Sequence, residues 1–173
     1  MGLGELTLIT GGARSGKSAY GQTLAVDSGG PVLFVATAEA LDGDMAARIE
    51  RHRAARPAEW ETFEEPLQVA AALRSCWAGQ LVLLDCVTLL VSNLLLAGRP
   101  VQPEIEAVIG WQREAGATLI AVTNEVGLGV VPENALAREY RDALGLANQA
   151  LAQAAERVIL MVAGLPLVLK HPA

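Results

Sequence analysis

The chain has 173 residues, 52% of them hydrophobic. That suffices for one domain with a substantial core, and with no Pro/Ser-rich linker to divide it, residues 1–173 read as a single domain. A formal net charge of −6 and a pI near 4.9 argue against a broad nucleic-acid surface, which needs Lys and Arg gathered to face phosphates. No basic segment leading into an apolar stretch opens the chain, so the expectation is a cytoplasmic protein.

Leu6-Thr7-Leu8-Ile9-Thr10 reads as a buried strand and Ser18 to Ala25 as the start of a helix. Between them, Gly11-Gly12-Ala13-Arg14-Ser15-Gly16-Lys17-Ser18 fits the phosphate-loop pattern G-x-x-x-x-G-K-[ST] without a mismatch. In such a loop the glycines let backbone N–H groups turn towards a phosphate, and the helix start adds the positive end of its dipole. Lys17 is expected to reach the terminal phosphates and the Ser18 hydroxyl to take a site on Mg²⁺.

Pro31 to Ala36 is a second apolar strand, which leaves Thr37, Ala38 and Glu39 at its C-terminal end. Ligands bind at that edge of open parallel sheets, although a plain strand-to-helix turn reads the same way. The next helix opens on a candidate N-cap at Asp42 and stops at Pro57 with a thin apolar stripe. Its Arg48, His52 and Arg56 recur every fourth residue and share a face. That face is either a solvated basic surface or an anion site; between guanidinium groups the imidazole is kept neutral, with a lone pair free for attack.

Trp60 to Glu64 alternates as a strand does, and Pro66 opens a helix from Leu67 to Trp77. Leu81-Val82-Leu83-Leu84-Asp85 has the form of a Walker B strand ending in a carboxylate that either holds Mg²⁺ or caps the helix Thr88 to Ala97. The apolar run 81–97 is interrupted by Asp85, Ser92 and Asn93, and is too short for the ~20 residues of a membrane span. Cys76 and Cys86 lack the spacing of a zinc site and read as core or near-core thiols.

Pro103 opens another amphipathic helix that Gly116 ends, and Thr118 to Thr123 is a further central strand. The loop Asn124 to Asn134 follows at the same edge with two glycines and two carboxylates. The pattern is then helical from Ala135 to Glu156 with a candidate break at Gly145, before a core strand at Arg157 to Val162 and an edge strand at Leu167 to Leu169. Strands alternating with helices predict an α/β fold, a mostly parallel sheet with helices on both faces.

These stretches resemble the bifunctional adenosylcobinamide kinase/adenosylcobinamide-phosphate guanylyltransferase family over nearly the whole chain. The resemblance rests on Thr10 to Ser18, on Ala46-Ala47-Arg48-Ile49 with His52 and Arg56-Pro57, and on Asn93-Leu94-Leu95. Its most specific part is Thr123 to Asn134, continued by Arg138, Arg141-Asp142, Gly145 and Asn148-Gln149. It implies a P-loop NTPase of RecA-like fold that works in two steps. ATP or GTP first gives its γ-phosphoryl group to the aminopropanol hydroxyl of adenosylcobinamide. GMP from GTP is then added to that phosphate through a guanylylated histidine.

By that resemblance His52 is the nucleophile, and Lys17 acts with it. The nucleotide site maps onto Gly11, Gly12, Ala13, Arg14, Ser15, Gly16, Lys17 and Ser18, then Thr37, Ala38 and Glu39, then Arg53, Ala54, Ala55 and Arg56, with Glu64 and Asp85. Ser18 and Asp85 are the implied Mg²⁺ ligands. Ala54-Ala55 departs from relatives that carry a polar residue or Gly there, so a guanine contact at that point would run through backbone. The resemblance also implies a homotrimer. A plain P-loop kinase for another alcohol and a RecA-like switch module are the competing readings.

Overall fold

The computed structural model describes residues 4–39, 43–54, 56–76 and 79–172, and within these the side chains of residues 44–46, 48, 51 and 52 lie outside the description. The expected N-cap at Asp42 and the expected helix end at Trp77 therefore fall outside the described residues.

Seven strands form one sheet: β1 (Leu6–Gly11), β2 (Val32–Ala36), β3 (Glu61–Glu64), β4 (Leu81–Asp85), β5 (Thr118–Val122), β6 (Arg157–Val162) and β7 (Leu165–Lys170). Their order is β3-β2-β4-β5-β1-β6-β7, parallel throughout except that β7 turns back on β6. The central strands read as unbroken apolar runs because both of their faces are covered. In β4, Val82 and Leu84 face one core cluster while Leu81 and Leu83 face the other, as the two-residue period of a strand requires.

Among the described residues there are six helices: α1 (Lys17–Asp27), α2 (Gly43–Ala54), α3 (Val69–Leu73), α4 (Val87–Leu96), α5 (Val101–Ala115) and α6 (Ala135–Ala154). Helices α3 to α6 pack on one face around Leu73, Leu90, Ile105 and Leu144. On the other, α1 lies close to the strands through Gly21, where a Cβ would come within 3.3 Å of Leu83 and Val122 side-chain carbons. A larger residue there would push the helix, and the phosphate loop at its head, off the sheet.

Several boundaries differ from the sequence expectation. The helix expected from Leu67 to Trp77 runs only from Val69 to Leu73: the Glu65 carboxylate accepts the Leu67 and Gln68 N–H groups at 2.9 and 2.8 Å and delays the start, and the chain turns after Leu73. The fifth helix starts at Val101, two residues before Pro103, since the first turn needs no internal N–H donor. Gly145 does not break α6, which is continuous from an Asn134 cap that accepts the Ala137 N–H at 3.2 Å. Strand β7 is longer than expected and exposed along its whole length. Among the described residues no helix is long and apolar enough to cross a membrane.

Candidate functional site

The strand order brings the chemistry-bearing stretches to one edge. β5 lies between the phosphate-loop strand β1 and the Asp85 strand β4, and the register sets Ile9 and Asp85 beside Val122. Asp85 pairs with Ala36 and Val122, which belong to the cluster under α1, so its carboxylate is on the α1 face, the side on which the phosphate loop and Ser18 lie.

The loop is held from several directions. Gly11 has φ 146°, and a Cβ on it would lie 2.4 Å from the Met161 carbonyl oxygen and 2.9 Å from Ser15 Oγ. Only glycine meets both conditions. The Gly164 N–H, in the β6–β7 turn, donates to the Ser15 carbonyl at 3.1 Å. Lys17 is buried in the first turn of α1, and its Nζ donates to the Gly12 carbonyl at 2.5 Å and lies 3.4 Å from Ser15 Oγ. Gly12, Ala13, Arg14 and Gly16 are exposed, so their backbone forms the rim of the cradle.

Thr37 is fully buried, and both of its hydroxyl interactions go to Cys86: Oγ1 donates to the carbonyl at 2.7 Å and accepts the N–H at 2.9 Å. It clips the end of β2 to the end of β4 and leaves no hydroxyl proton to donate to a nucleotide. Asn93, buried inside the apolar α4, donates to the carbonyls of Thr37 at 2.8 Å and Pro66 at 3.1 Å. Losing that amide would orphan two carbonyls, at about 1–3 kcal/mol each. Ala38 is half-buried and Glu39 exposed at the same edge.

Helix α2 and the residues after it carry the remaining candidates; the helix ends at Ala54 rather than at the expected Pro57, so Arg56 lies beyond it and not on a helical face with Arg48 and His52. His52 falls in its last turn; its side chain, like that of Arg48, lies outside the described set, as does Ala55 entirely. Ala54 is exposed. Arg53 pairs with Glu50 at 2.9 Å and with Glu64 at the end of β3, all three groups being at least half exposed. Arg56 lays its guanidinium 3.5 Å from the centre of the Phe34 ring, which in turn stacks on Trp60 with centroids 6.4 Å apart. Burial pulls the Arg56 guanidinium below its ordinary range, and the charge of nearby Asp85 opposes that shift. A buried Nε without a partner completes an arginine held by stacking.

The Asn124 to Asn134 loop is pinned at both ends. The Glu125 N–H donates to the Gly11 carbonyl at 3.0 Å, the Asn124 N–H to Thr88 Oγ1 at 2.7 Å, and Asn148 Nδ2 to the Asn124 carbonyl at 3.0 Å. At the far end Arg138 donates to the carbonyls of Pro132 and Glu133. Beside the site, burial and then the Asp85 charge push the Cys86 thiol up to about 11, and burial pushes the Tyr140 hydroxyl up to about 12. Both cysteines are free thiols of intermediate burial, close to the expected near-core position.

Sequence reasoning did not find Phe34 as the platform for Arg56, Asn93 as the brace of Thr37 or Thr88 as the anchor of Asn124. Only Asn93 left a signal, as a polar residue within an apolar helical run. Among the described residues no three His, Cys, Asp or Glu side chains gather into a cation cage. One serine hydroxyl and one carboxylate on the α1 face instead suit Mg²⁺, which keeps waters and phosphate oxygens among its ligands.

The fold matches that of flagellar accessory protein FlaH from Methanocaldococcus jannaschii, with a TM-score of 0.58 at 15% identity over 98% of this chain and 79% of that one. It also matches a KaiC-like protein from Pyrococcus horikoshii, with a TM-score of 0.53 at 16% identity over 91% and 70%. At these identities the likeness shows the fold alone, a mostly parallel α/β sheet with helices on both faces. The bifunctional adenosylcobalamin biosynthesis protein CobP of Pseudomonas aeruginosa is 51% identical over 166 residues, covering 94% of this chain and 96% of that protein. The bifunctional adenosylcobalamin biosynthesis protein CobU of Escherichia coli is 40% identical over 181 residues, covering 95% and 99%. The family model described as cobinamide kinase / cobinamide phosphate guanyltransferase matches residues 7–169, and the chain belongs to that family.

Proposed function

We propose that this protein phosphorylates adenosylcobinamide with ATP or GTP and then transfers GMP from GTP onto the product. In the first reaction the aminopropanol hydroxyl oxygen bonds to the γ-phosphorus, the bond to the β,γ-bridging oxygen breaks, and the hydroxyl proton is lost as the nucleoside diphosphate leaves. Lys17 and the N–H groups of Gly11 to Ser18 hold the triphosphate. Ser18 and Asp85 hold Mg²⁺, which when bound neutralises charge on the phosphates.

In the second reaction an imidazole nitrogen of His52 bonds to the α-phosphorus of GTP and pyrophosphate leaves. A cobinamide-phosphate oxygen then displaces the histidine, giving adenosyl-GDP-cobinamide and net retention at phosphorus. Arg53 and Arg56 steady the α-phosphate charge, Ala38, Glu39, Ala54 and Ala55 complete the nucleotide side, Thr37 holds the end of β2 in place behind them, Glu64 acts through Arg53, and both reactions run in one domain. The reading includes three copies of the chain, working in the cytoplasm.

The observation that carries this reading is the common edge: Asp85, the end of β1 and the end of the helix bearing His52 converge there, with Arg56 close enough to Asp85 for their charges to act on each other. Incubation with α-labelled GTP tests it. Label should become bound to the protein, be released by acid and be absent from His52→Ala. Label retained by that variant would remove His52 from the chemistry, and γ-label transfer to cobinamide with no covalent GMP would reduce the protein to a plain kinase.

A further inference from the structure

The loop between β5 and α6 has two well-fixed ends and an apolar tip with nothing to pack against. Leu128 is 89% exposed and Val130 95%, more than any other large apolar residue among those described, and Val131 follows at 57%. Surface leucines scattered singly need no explanation, but three in four residues on a loop rooted in a candidate site do. Asn148 in α6 reaches Thr123 and Asn124 at the end of β5, so the helix before Asn148 runs on past the strand ends for roughly three and a half turns. There Leu136 is 49% exposed and Leu96, from α4, 65%. Between the two helices lies an open groove of about 400 Å³, lined chiefly by Leu95, Leu96, Leu136, Ala137 and Tyr140.

We propose that this wall, Leu128, Val130 and Val131 together with Leu96 and Leu136, is the docking surface for the macrocycle of the corrinoid acceptor. The proposal rests on the function proposed above and adds the site of the second substrate. A corrinoid presents broad apolar ring faces fringed by amide arms, and only the hydroxyl of one arm has to reach the phosphates. The loop meets both demands, being apolar at its tip and hydrogen-bonded at its root to Gly11 of the phosphate loop. Leu128 is three residues from Glu125, hence at most roughly 11 Å from the residue that touches the phosphate loop. The other large apolar face, β7, also meets the phosphate loop through the Gly164 N–H of the turn before it, but it lies at the outer edge of the sheet beyond β6, on the far side of β1 from Asp85, whereas this loop leaves β5 between the cradle and Asp85.

The test is the double variant Leu128→Ser with Val130→Ser, at two positions whose side chains pack against little and whose replacement leaves the core untouched. Its KM for adenosylcobinamide in γ-phosphoryl transfer should rise about tenfold or more. Covalent labelling by α-labelled GTP without any corrinoid should match wild type, as should the sedimenting mass. A companion Leu128→Met with Val130→Ile should keep KM within about twofold of wild type. An unchanged KM in the serine variant overturns the proposal, as does an equal rise in the Met/Ile companion, which would point to loop backbone. A rise in KM that comes with a smaller sedimenting species assigns the patch to contact between copies and overturns it too. Failure of wild type to phosphorylate adenosylcobinamide defeats the proposed function and this surface together, whereas failure of the surface alone leaves wild-type activity and labelling intact.

Discussion

The phosphate loop and helix α2 flank one sheet edge and are built in opposite ways. The loop grows out of the core: Gly11 is wedged against Met161 and Ser15, Lys17 is buried, and the β6–β7 turn is hydrogen-bonded to it. Among the described side chains of α2, by contrast, Ile49 alone is even partly buried, and Arg53 in the last turn makes surface charge pairs. A preformed cradle suits a group that must be held identically in every turnover. A helix whose described side chains are mostly exposed suits a nucleophile that must approach the α-phosphorus and then carry GMP to a second substrate. On this contrast γ-transfer should be tolerant of changes in α2, while GMP transfer should need both regions.

The largest effect tests the shared part. Lys17→Ala should lower both phosphoryl transfer and protein labelling by about 10²–10³-fold, the cost of removing one charge-stabilising donor from a transition state. Steady-state rates and α-label incorporation measure it, and a variant that loses only one of the two activities would break the idea of a common cradle. His52→Ala comes next because it should divide them. GMP incorporation should vanish while kcat for γ-transfer stays within about threefold of wild type.

Gly11→Ala tests rigidity itself. The added methyl would collide with the Met161 carbonyl at a φ that L-residues avoid. Strain and overpacking together should cost about 3 kcal/mol, lowering Tm by on the order of 10 °C. A thermal shift below about 2 °C would mean that the cradle yields more easily than its packing implies.

The same contrast separates what the sequence made legible from what it did not. Covered strands such as Leu81 to Asp85 are apolar without a break, so periodicity and the terminal carboxylate found them together. The phosphate loop is a local motif whose spacing is its geometry. Helix boundaries failed where a local cap set them, as Glu65 does for α3, whereas the start of α6 at Ala135 was legible and only the candidate break at Gly145 was not realised. The order of strands, which sets β5 between the cradle and Asp85, leaves no trace in any one segment. Nor does the stacking of Arg56 on Phe34, whose partners are 22 positions apart and joined only by the β2–β3 neighbourhood. The resemblance supplied residue roles, but the division of labour between Thr37 as a clip and its exposed neighbours required the fold.

The smallest expected effect bears most directly on α2. Glu64 accepts from Arg53 at the end of β3, and both side chains are about half exposed, so the pair should contribute under about 1 kcal/mol and be screened by salt. If Glu64 serves only to steady the helix, Glu64→Gln should slow GMP incorporation less than about fivefold, a figure set by that energy. It should leave γ-transfer unchanged, and wild type in 0.5 M salt, roughly a Debye length of 4 Å, should converge on the variant. A loss beyond about tenfold that salt does not reproduce exceeds what an exposed ion pair supplies. Glu64 would then be touching the nucleotide itself, and α2 would be anchored through the substrate rather than through the surface of the protein.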